Sequence, residues 1–569
     1  MANGNNRRRT RRKAPANKAK AKVRLVSLGG VGEIGKNMFA FEYEQEIVVI
    51  DGGLKFPEED MLGVDIVIPD ISYLVENQDK VSAILLTHGH EDHIGGLPYI
   101  LKQLRKPVYG TKLTLGLLEG KLREKGMLAD CDLKEIHPGM RLRVSENIEA
   151  EFFRVNHSIP DAVGICLRTP AGLIVHSGDF KIDHTPVDGK VMDFYRLAQY
   201  GEEGVLAALI DSTNAEREGY TQSETIVGET ISEVLRLSDS RVILATFASN
   251  VHRIQQVINA AAKHRRKVAV NGRSMVNVVN IAMELGYLKD TYGVLVDLDE
   301  INNLPPHKVV LLTTGSQGEP MSGLSRMAKS EHRQVEIVPG DTIIFAANPI
   351  PGNEKFVSRT VDNLLRLGAD VIYESVSGTH VSGHASQEEI KLVLSLLKPK
   401  FALPVHGEHR MCIRFQKLAA SMGIPEENSP ILKIGELWEL SADGAKHVGT
   451  VPSGSVLVDG LGIGDVGNIV LRDRRQLSQD GILVVVLALE KGSGKVLSGP
   501  DIVSRGFVYV RESEDLMAEA KEVARKYLAE KGTKSEWSVI KSGVRDVLGK
   551  FLYDRTRRNP MIIPIIMEI

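Results

Sequence analysis

Six consecutive residues, His88-Gly89-His90-Glu91-Asp92-His93, place three imidazoles and two carboxylates side by side. Neutral imidazoles and carboxylates bind zinc-like cations, and mixed nitrogen and oxygen ligation leaves room for water. The run directly follows the apolar stretch Val81–Leu86, which reads as a strand. Its side chains therefore stand on a loop at a strand's C-terminal end, where ligand sites gather in α/β sheets. His88, His90, Asp92 and His93 cannot wrap around one centre at this spacing: His88 and His90 share a face, while Asp92 and His93 point elsewhere. More ligands must come from distant segments, each just after a short apolar strand. Three segments qualify. Asn156-His157-Ser158 follows Phe152–Val155, Ser177-Gly178-Asp179 follows Leu173–Val175, and His406-Gly407-Glu408 follows the strand that starts at Phe401.

This order, HxHxDH and then His, Asp and His, resembles the metallo-β-lactamase superfamily, with every position filled. The resemblance implies one ion held by His88, His90 and His157, a second by Asp92, His93 and His406, and Asp179 bridging them. Two ions roughly 3.5–4 Å apart share a hydroxide nucleophile and neutralise charge developing on a phosphate. Direct water attack on a phosphodiester is the reaction such a centre suits, with no serine or cysteine nucleophile. The fold implied is α/β, an αββα sandwich.

Other polar residues receive plainer readings. His137 precedes a Pro-Gly turn and reads as a surface loop residue; His176 and His184 flank Asp179 and are candidates to stand behind the ligands. Glu408 and His409 either orient His406 or sit on the surface, and Asp51 reads as a hydrogen-bonding support for the histidine loop. Gly30-Val31-Gly32-Glu33-Ile34-Gly35 matches GxGxxG after a strand, an invitation to a dinucleotide-binding reading. That reading needs a helix next, to present its N-terminus to phosphate. Asn37–Ile50 reads instead as a hairpin, so these glycines are expected to form a tight loop near the metal residues.

The elements that must carry these residues form a mixed pattern. Val23–Leu28, Met38–Tyr43, Ile47–Ile50 and Leu206–Ile210 read as strands, and Leu113–Lys125 has helical period. From Thr221 the texture becomes regular strand–helix alternation. Thr221-Gln222-Ser223-Glu224 reads as a capping box opening a helix to about Leu237, and Arg241–Phe247, Val251–His264 and Lys267–Val270 form a βαβ unit that implies a parallel sheet. After about Gly460 comes a separate α/β segment. The domain expectation is a basic tail at 1–22, a first metallo-β-lactamase part at 23–223, an inserted domain at 224–383, a second metallo-β-lactamase part at 384–460, and a small C-terminal α/β domain at 461–569.

The insertion carries its own chemistry. Asp179 and His406 lie 227 positions apart (406 − 179), far more than a simple hydrolase of this superfamily needs. Asp211-Ser212-Thr213 and Ser382-Gly383-His384-Ala385-Ser386 mark its edges. Asp211, His384 and His406 match, in order, the extra acidic and histidine motifs of the β-CASP nucleases. Ser386-Gln387-Glu388-Glu389 is a capping box, and a second helix starts after Ser249-Asn250. Helix N-termini bind phosphate through free amides, so Ser249, Gly383, His384, Ala385 and Ser386 are candidate phosphate contacts, with ordinary N-capping as the alternative for both serines. His384 is a candidate to touch the scissile phosphate or protonate the leaving oxygen.

Three stretches resemble the ribonuclease J family specifically: Leu28–Asn37, Thr314–Pro320 and Val405–Arg410. The resemblance runs from about Arg24 to the C-terminus. It implies 5′→3′ exonuclease activity on single-stranded RNA with a 5′-monophosphate, endonuclease activity besides, two zinc ions per subunit (manganese or magnesium in their place), a homodimer or homotetramer, and a role in messenger and ribosomal RNA processing and decay. A β-CASP DNA nuclease is the main rival, since the metal residues do not distinguish ribose from deoxyribose. A small-molecule thioester or lactam hydrolase shares the ligands but has no need of the insertion, and a non-catalytic RNA-binding scaffold has no need of the ligands.

Composition fits these expectations. The chain has 569 residues, 43% hydrophobic and 25% charged, with a net charge of −2. Met1–Lys22 holds five Arg and four Lys and no acid, which leaves about −11 on the rest (−2 − 9). This tail is expected to be disordered and is a candidate for loose, salt-sensitive contact with nucleic acid. No apolar run is long enough to span a membrane, and three scattered cysteines fit a reducing cytoplasm. Arg472-Asp473-Arg474-Arg475 and Arg555–Arg558 are candidate RNA contacts in the last domain.

Overall fold

In a computed structural model of the chain, two sheets lie face to face and fill the gap between them with alternate side chains of each strand. The described residues are 21–319, 321–350, 353–373, 378–490, 496–508, 513–531 and 537–569, so the basic tail expected at 1–22 falls outside them except at its end. There Lys22 already belongs to the first strand, Lys22–Gly29, and pairs with Glu439 at 2.6 Å.

The chain divides into two compact units, residues 1–56 with 67–456, and residues 57–66 with 457–569. In the first unit, one eight-stranded sheet runs in the order Ala445–Thr450, Glu436–Ser441, Lys22–Gly29, Met38–Tyr43, Glu46–Ile50, Val81–Leu85, Val108–Thr111 and Leu133–Ile136. Met38–Tyr43 and Glu46–Ile50 form the antiparallel hairpin expected after the glycine run, so no dinucleotide-type helix follows it. A six-stranded sheet has the order Phe401–Val405, Val205–Asp211, Gly172–His176, Val163–Thr169, Glu149–Arg154 and Arg141–Arg143. Phe39, Phe41, Val48, Ile50, Phe152, Ile165, Leu209 and Leu403 pack between the sheets, and all are buried. Helices cover both outer faces, among them Lys112–Glu124 on one side and Phe194–Glu203 and Gln387–Leu397 on the other. This is the αββα sandwich.

The inserted block builds a third sheet, six strands and all parallel, between residues 242 and 372. Val242–Ala245 and Lys267–Asn271, read from sequence as one βαβ unit, share this sheet, but Val309–Thr313 lies between them. The expected parallel sheet is present, and a later strand takes the slot between the two. The expected capping box at Thr221–Glu224 does not form. Glu224 instead gives its carboxylate to Arg253, a fully buried guanidinium, at 2.8 and 2.9 Å, and Thr221 turns toward the His384 loop.

The second unit is a three-stranded sheet, in the order Val496–Arg505, Ile482–Leu489 and Met561–Glu568. Leu483, Val485 and Leu487 on one face pack with residues of the helices Glu514–Lys531 and Trp537–Thr556. Residues 57–66, which the sequence reading left in the first domain, belong here: Arg475 pairs with Asp60 at 2.5 Å and Arg474 donates to Leu62 O at 2.8 Å. Arg555 is likewise paired with Glu519 at 2.5 Å and Arg558 donates to Phe507 O at 2.7 Å. These four arginines, among those read as candidate RNA contacts, are each paired within this unit, and Arg475 and Arg555 stay about half exposed. Among the described residues no helix is long and apolar enough to cross a membrane.

Candidate metal centre

All seven proposed ligands converge. His88 leaves the strand Val81–Leu85, His157 follows Glu149–Arg154, and three neighbouring parallel strands deliver Asp179, Asp211 and His406 from their C-terminal ends. His88, His90, His157 and Asp179 form one group of facing donor atoms, and Asp92, His93, Asp179 and His406 form a second. Asp179 belongs to both. Its Oδ2 lies 3.7 Å from His88 Nε2 and His157 Nε2, 3.2 Å from His93 Nε2 and 3.7 Å from His406 Nε2. His90 Nδ1 stands 3.0 Å from His88 Nε2 and 3.1 Å from His157 Nε2. For bonds of about 2.0–2.1 Å, the edges of a ligand tetrahedron are roughly 3.3 Å. The donor spacing therefore fits a cation, and buried imidazole nitrogens crowded this closely have no better partner. His88, His93, His157, Asp179 and His406 are buried, whereas His90, Asp92 and His384 are half-buried, so the centre opens on that side.

Each buried ring is oriented from behind. Asp51 Oδ2 stands 2.7 Å from His93 Nδ1, while its carboxylate accepts from the Thr87 amide at 2.8 Å and the Thr87 hydroxyl at 2.9 Å. His157 Nδ1 donates to Gly383 O at 2.8 Å, and a Cβ at Gly383 would lie 2.7 Å from that ring. Thr213 Oγ1 meets His406 Nδ1 at 2.8 Å. The glycine loop makes its contribution through Gly30, whose positive φ of 77° aims its carbonyl at the His406 amide, 2.7 Å away. Such outer partners fix tautomer and ring angle. Asp51→Ala should therefore weaken metal binding about 10–100-fold in chelator competition, and unchanged affinity would contradict this arrangement.

Sequence reasoning missed Asn37, Thr87 and Thr213. Asn37 donates to Asp92 O at 3.0 Å and its carboxamide stands 3.2 Å from His93 Nε2. Thr87 and Thr213 sit beside a ligand or an acidic motif residue in sequence, the only signal available. Of the other histidines, His176 packs tilted against Phe39 and accepts from the Gly178 amide at 3.0 Å, bracing the turn before Asp179; His137, His184 and His409 are exposed. Glu408 pairs with Arg410 at 2.9 Å.

Asp211 lies beside the second group. Its Oδ2 is 2.8 Å from His384 Nδ1, which leaves Nε2 as that ring's free nitrogen, and the His384 ring stacks on His406 at 5.3 Å. The candidate phosphate amides are otherwise engaged. Those of Ser386, Gln387 and Glu388 donate to Glu389, Arg217 O and Gly219 O at 2.7, 3.0 and 3.1 Å. The free helix N-terminus expected at Ser386 is thus filled by protein, and the capping alternative describes it. At the other helix Asn250, not Ser249, caps, accepting from the Arg253 amide at 3.1 Å. Gly383 and Ala385 flank His384, Gly383 facing His157 and Ala385 buried in the core.

The two groups differ electrostatically. Burial pushes His88, His157 and His90 down, His90 to about 4. Burial also opposes charge on His93 and His406, but Asp179 and Asp92 outweigh it, raising His93 and taking His406 to about 9. Asp92 and Asp179 are held below the usual carboxylate range; burial would raise them, and their histidine neighbours prevail. The His406 ion pair stabilises the metal-free protein below the unfolded value of 6.5, and that contribution is lost as pH rises through about 9. A cation needs the neutral ring. Metal uptake at pH 7 should therefore release protons, and affinity should climb with pH up to about 9. Calorimetry in buffers of different protonation enthalpy checks this; heats independent of buffer would contradict it.

Fold and centre together define a metallohydrolase of the metallo-β-lactamase superfamily carrying an inserted β-CASP domain. The superfamily matches residues 31–211, the ribonuclease J β-CASP domain residues 239–364, a Zn-dependent metallo-hydrolase RNA specificity domain residues 368–428, and the ribonuclease J C-terminal domain residues 469–569. The chain is 50% identical to Ribonuclease J2 of Bacillus subtilis, with 96% of this chain and 99% of that one covered. It is 48% identical to Ribonuclease J of Thermus thermophilus over 96% and 95%, and 43% identical to that of Synechocystis over 95% and 86%. The chain belongs to the ribonuclease J family. A solved structure from Enterococcus faecalis, described as a protein of unknown function, shares the fold at a TM-score of 0.51 and 16% identity, covering 73% of this chain and 99% of that one.

Proposed function

We propose that this chain is a metal-dependent ribonuclease that hydrolyses RNA phosphodiesters at a two-metal centre, as a 5′→3′ exonuclease favouring a 5′-monophosphate and as an endonuclease. The observation that carries this reading is the Asp179 carboxylate, one oxygen of which faces four imidazoles drawn from both ligand groups. His88, His90 and His157 would hold one ion and Asp92, His93 and His406 the other, with Asp179 between them. Zinc suits the nitrogen-rich set best, with manganese as the alternative. Such ions, when bound, supply positive charge for a phosphate and lower the pKa of water.

The protein's own residues do the rest. His93 and His406 are kept in one orientation by Asp51 and Thr213, so the centre is preorganised before substrate arrives. His384 presents its free Nε2 beside the centre. Burial opposes charge on the ring, but Asp211, and after it Asp179, raise it above its ordinary value. It is suited to contact a phosphate oxygen or give its proton to the departing 3′ oxygen. The domain-sized insertion, with its RNA nuclease relatives, favours a polymer substrate over a thioester or lactam. In the second unit, the sheet face opposite the core carries Val484 between Val503 and Ile563, and Val486 beside Ile565. Val503, Ile563 and Ile565 are exposed, which supports a homodimer or homotetramer built partly through this unit.

The test is digestion of a 5′-monophosphorylated RNA, its 5′-hydroxyl form and the DNA analogue. Faster release of nucleotides from the monophosphorylated RNA is expected. DNA cut at least as fast would support a β-CASP DNA nuclease instead.

A further inference from the structure

Glu389 is fully buried in the first turn of the helix Gln387–Leu397. Its place in the capping box requires one hydrogen bond, from the Ser386 amide, and that bond is made at 2.7 Å. Capping does not require the other two. The same oxygen accepts from the Thr221 amide at 2.8 Å, and the second oxygen accepts from the Ile182 amide at 2.7 Å. These amides belong to three segments that meet nowhere in sequence. Ile182 follows Asp179 by three residues, and Ser386 follows His384 by two. Thr221, at the entry to the insertion, also holds the His384 loop directly, its hydroxyl donating to His384 O at 2.7 Å and meeting Ser386 Oγ at 3.0 Å.

We infer that Glu389 is a positioning residue for the reaction, locking the loop that bears His384 to the loop that bears Asp179. His384 Nδ1 stands 4.0 Å from Asp179 Oδ2 although 205 positions separate them (384 − 179). Asp211 Oδ2 joins the loops beside the donor groups, accepting from the Phe180 amide at 3.4 Å and facing His384 Nδ1 at 2.8 Å, and Glu389 ties them to one point through their backbones. The chemistry demands this residue type. Three N–H donors converge on two oxygens, and a glutamine end offers one oxygen and one NH2 group, so at least one buried donor would face another donor. The inference rests on the proposed role of His384 at the scissile phosphate.

The experiment compares full-length, metal-loaded wild type with Glu389→Gln and with Ile390→Val, a buried neighbour on the same helix that serves as a control for general loss of stability. For Glu389→Gln, kcat should fall about 10²-fold, the cost of a small misplacement of a reacting group. RNA affinity and bound metal should stay within roughly twofold of wild type. Amide exchange at Ile182 and Thr221 should quicken in this variant and not in Ile390→Val. Thr221→Val keeps the Glu389 bonds but loses the hydroxyl bond to His384 O, and should lower kcat about tenfold with unchanged RNA affinity. If Glu389→Gln retains the kcat of Ile390→Val, the inference is overturned. Should Glu389→Gln fail to fold, Glu389→Asp, which keeps the carboxylate but shortens its reach by one methylene, takes its place, and a kcat equal to that of Ile390→Val overturns the inference. A wild type that leaves RNA intact would refute the ribonuclease reading, and the exchange rates would still judge whether Glu389 ties the loops.

Discussion

Asp179→Asn should remove RNA cleavage by on the order of 10⁴-fold or more while leaving a folded protein that binds RNA. The substitution keeps shape and removes charge. Asp179 Oδ2 lies within 3.7 Å of imidazoles from both groups, so the change removes a donor shared by the two proposed cation positions and its negative charge at once. His384, the proposed phosphate contact, and the inserted domain are untouched, so RNA affinity should change little. Loss of cleavage together with loss of bound metal, read by elemental analysis on the same sample, is the expected pair. Near wild-type turnover would show that the two groups do not act as one centre.

His384→Ala should lower kcat by about 10²–10⁴-fold, the range for removing a positioned acid or base, with metal content unchanged. Here the alternative is specific. Asp211, His384 and His406 form a third group of facing donors, and if His384 were a ligand there, bound metal would fall along with the rate. The Asp211 contact at 2.8 Å occupies Nδ1 and leaves Nε2 for substrate, which is why the account expects the metal to stay. A drop in metal stoichiometry would reassign His384 from substrate contact to ligand.

The ligand set was legible because its chemistry is written in residue types: imidazoles and carboxylates just past apolar strands, where parallel sheets present their ends. The strands were legible for the same reason, since Phe401–Val405 and others are short apolar runs, whereas their stacking as an αββα sandwich was implied only by the family resemblance. What hydrogen bonds decide over long distances was not. Ser386 read as a free helix start, yet Arg217 and Gly219, about 170 positions earlier, carry the carbonyls that fill it. Glu224 read as a capping residue, and the pull of a buried Arg253 outweighed capping by offering two charged hydrogen bonds. Glu389 read as a cap and is one, but the amides of Ile182 and Thr221 that make it more than a cap leave no trace in spacing. The place of the strand Val309–Thr313 between Val242–Ala245 and Lys267–Asn271 was not legible either, because sheet order is settled by packing, which local pattern does not encode.

The most direct test of a shared two-cation centre is an anomalous-scattering map from crystals of catalytically active, zinc-loaded protein. Two peaks flanking Asp179 are expected, one against His88, His90 and His157 and the other against Asp92, His93 and His406. Active crystals with no peak at Asp179, or with metal bound only elsewhere, would contradict it.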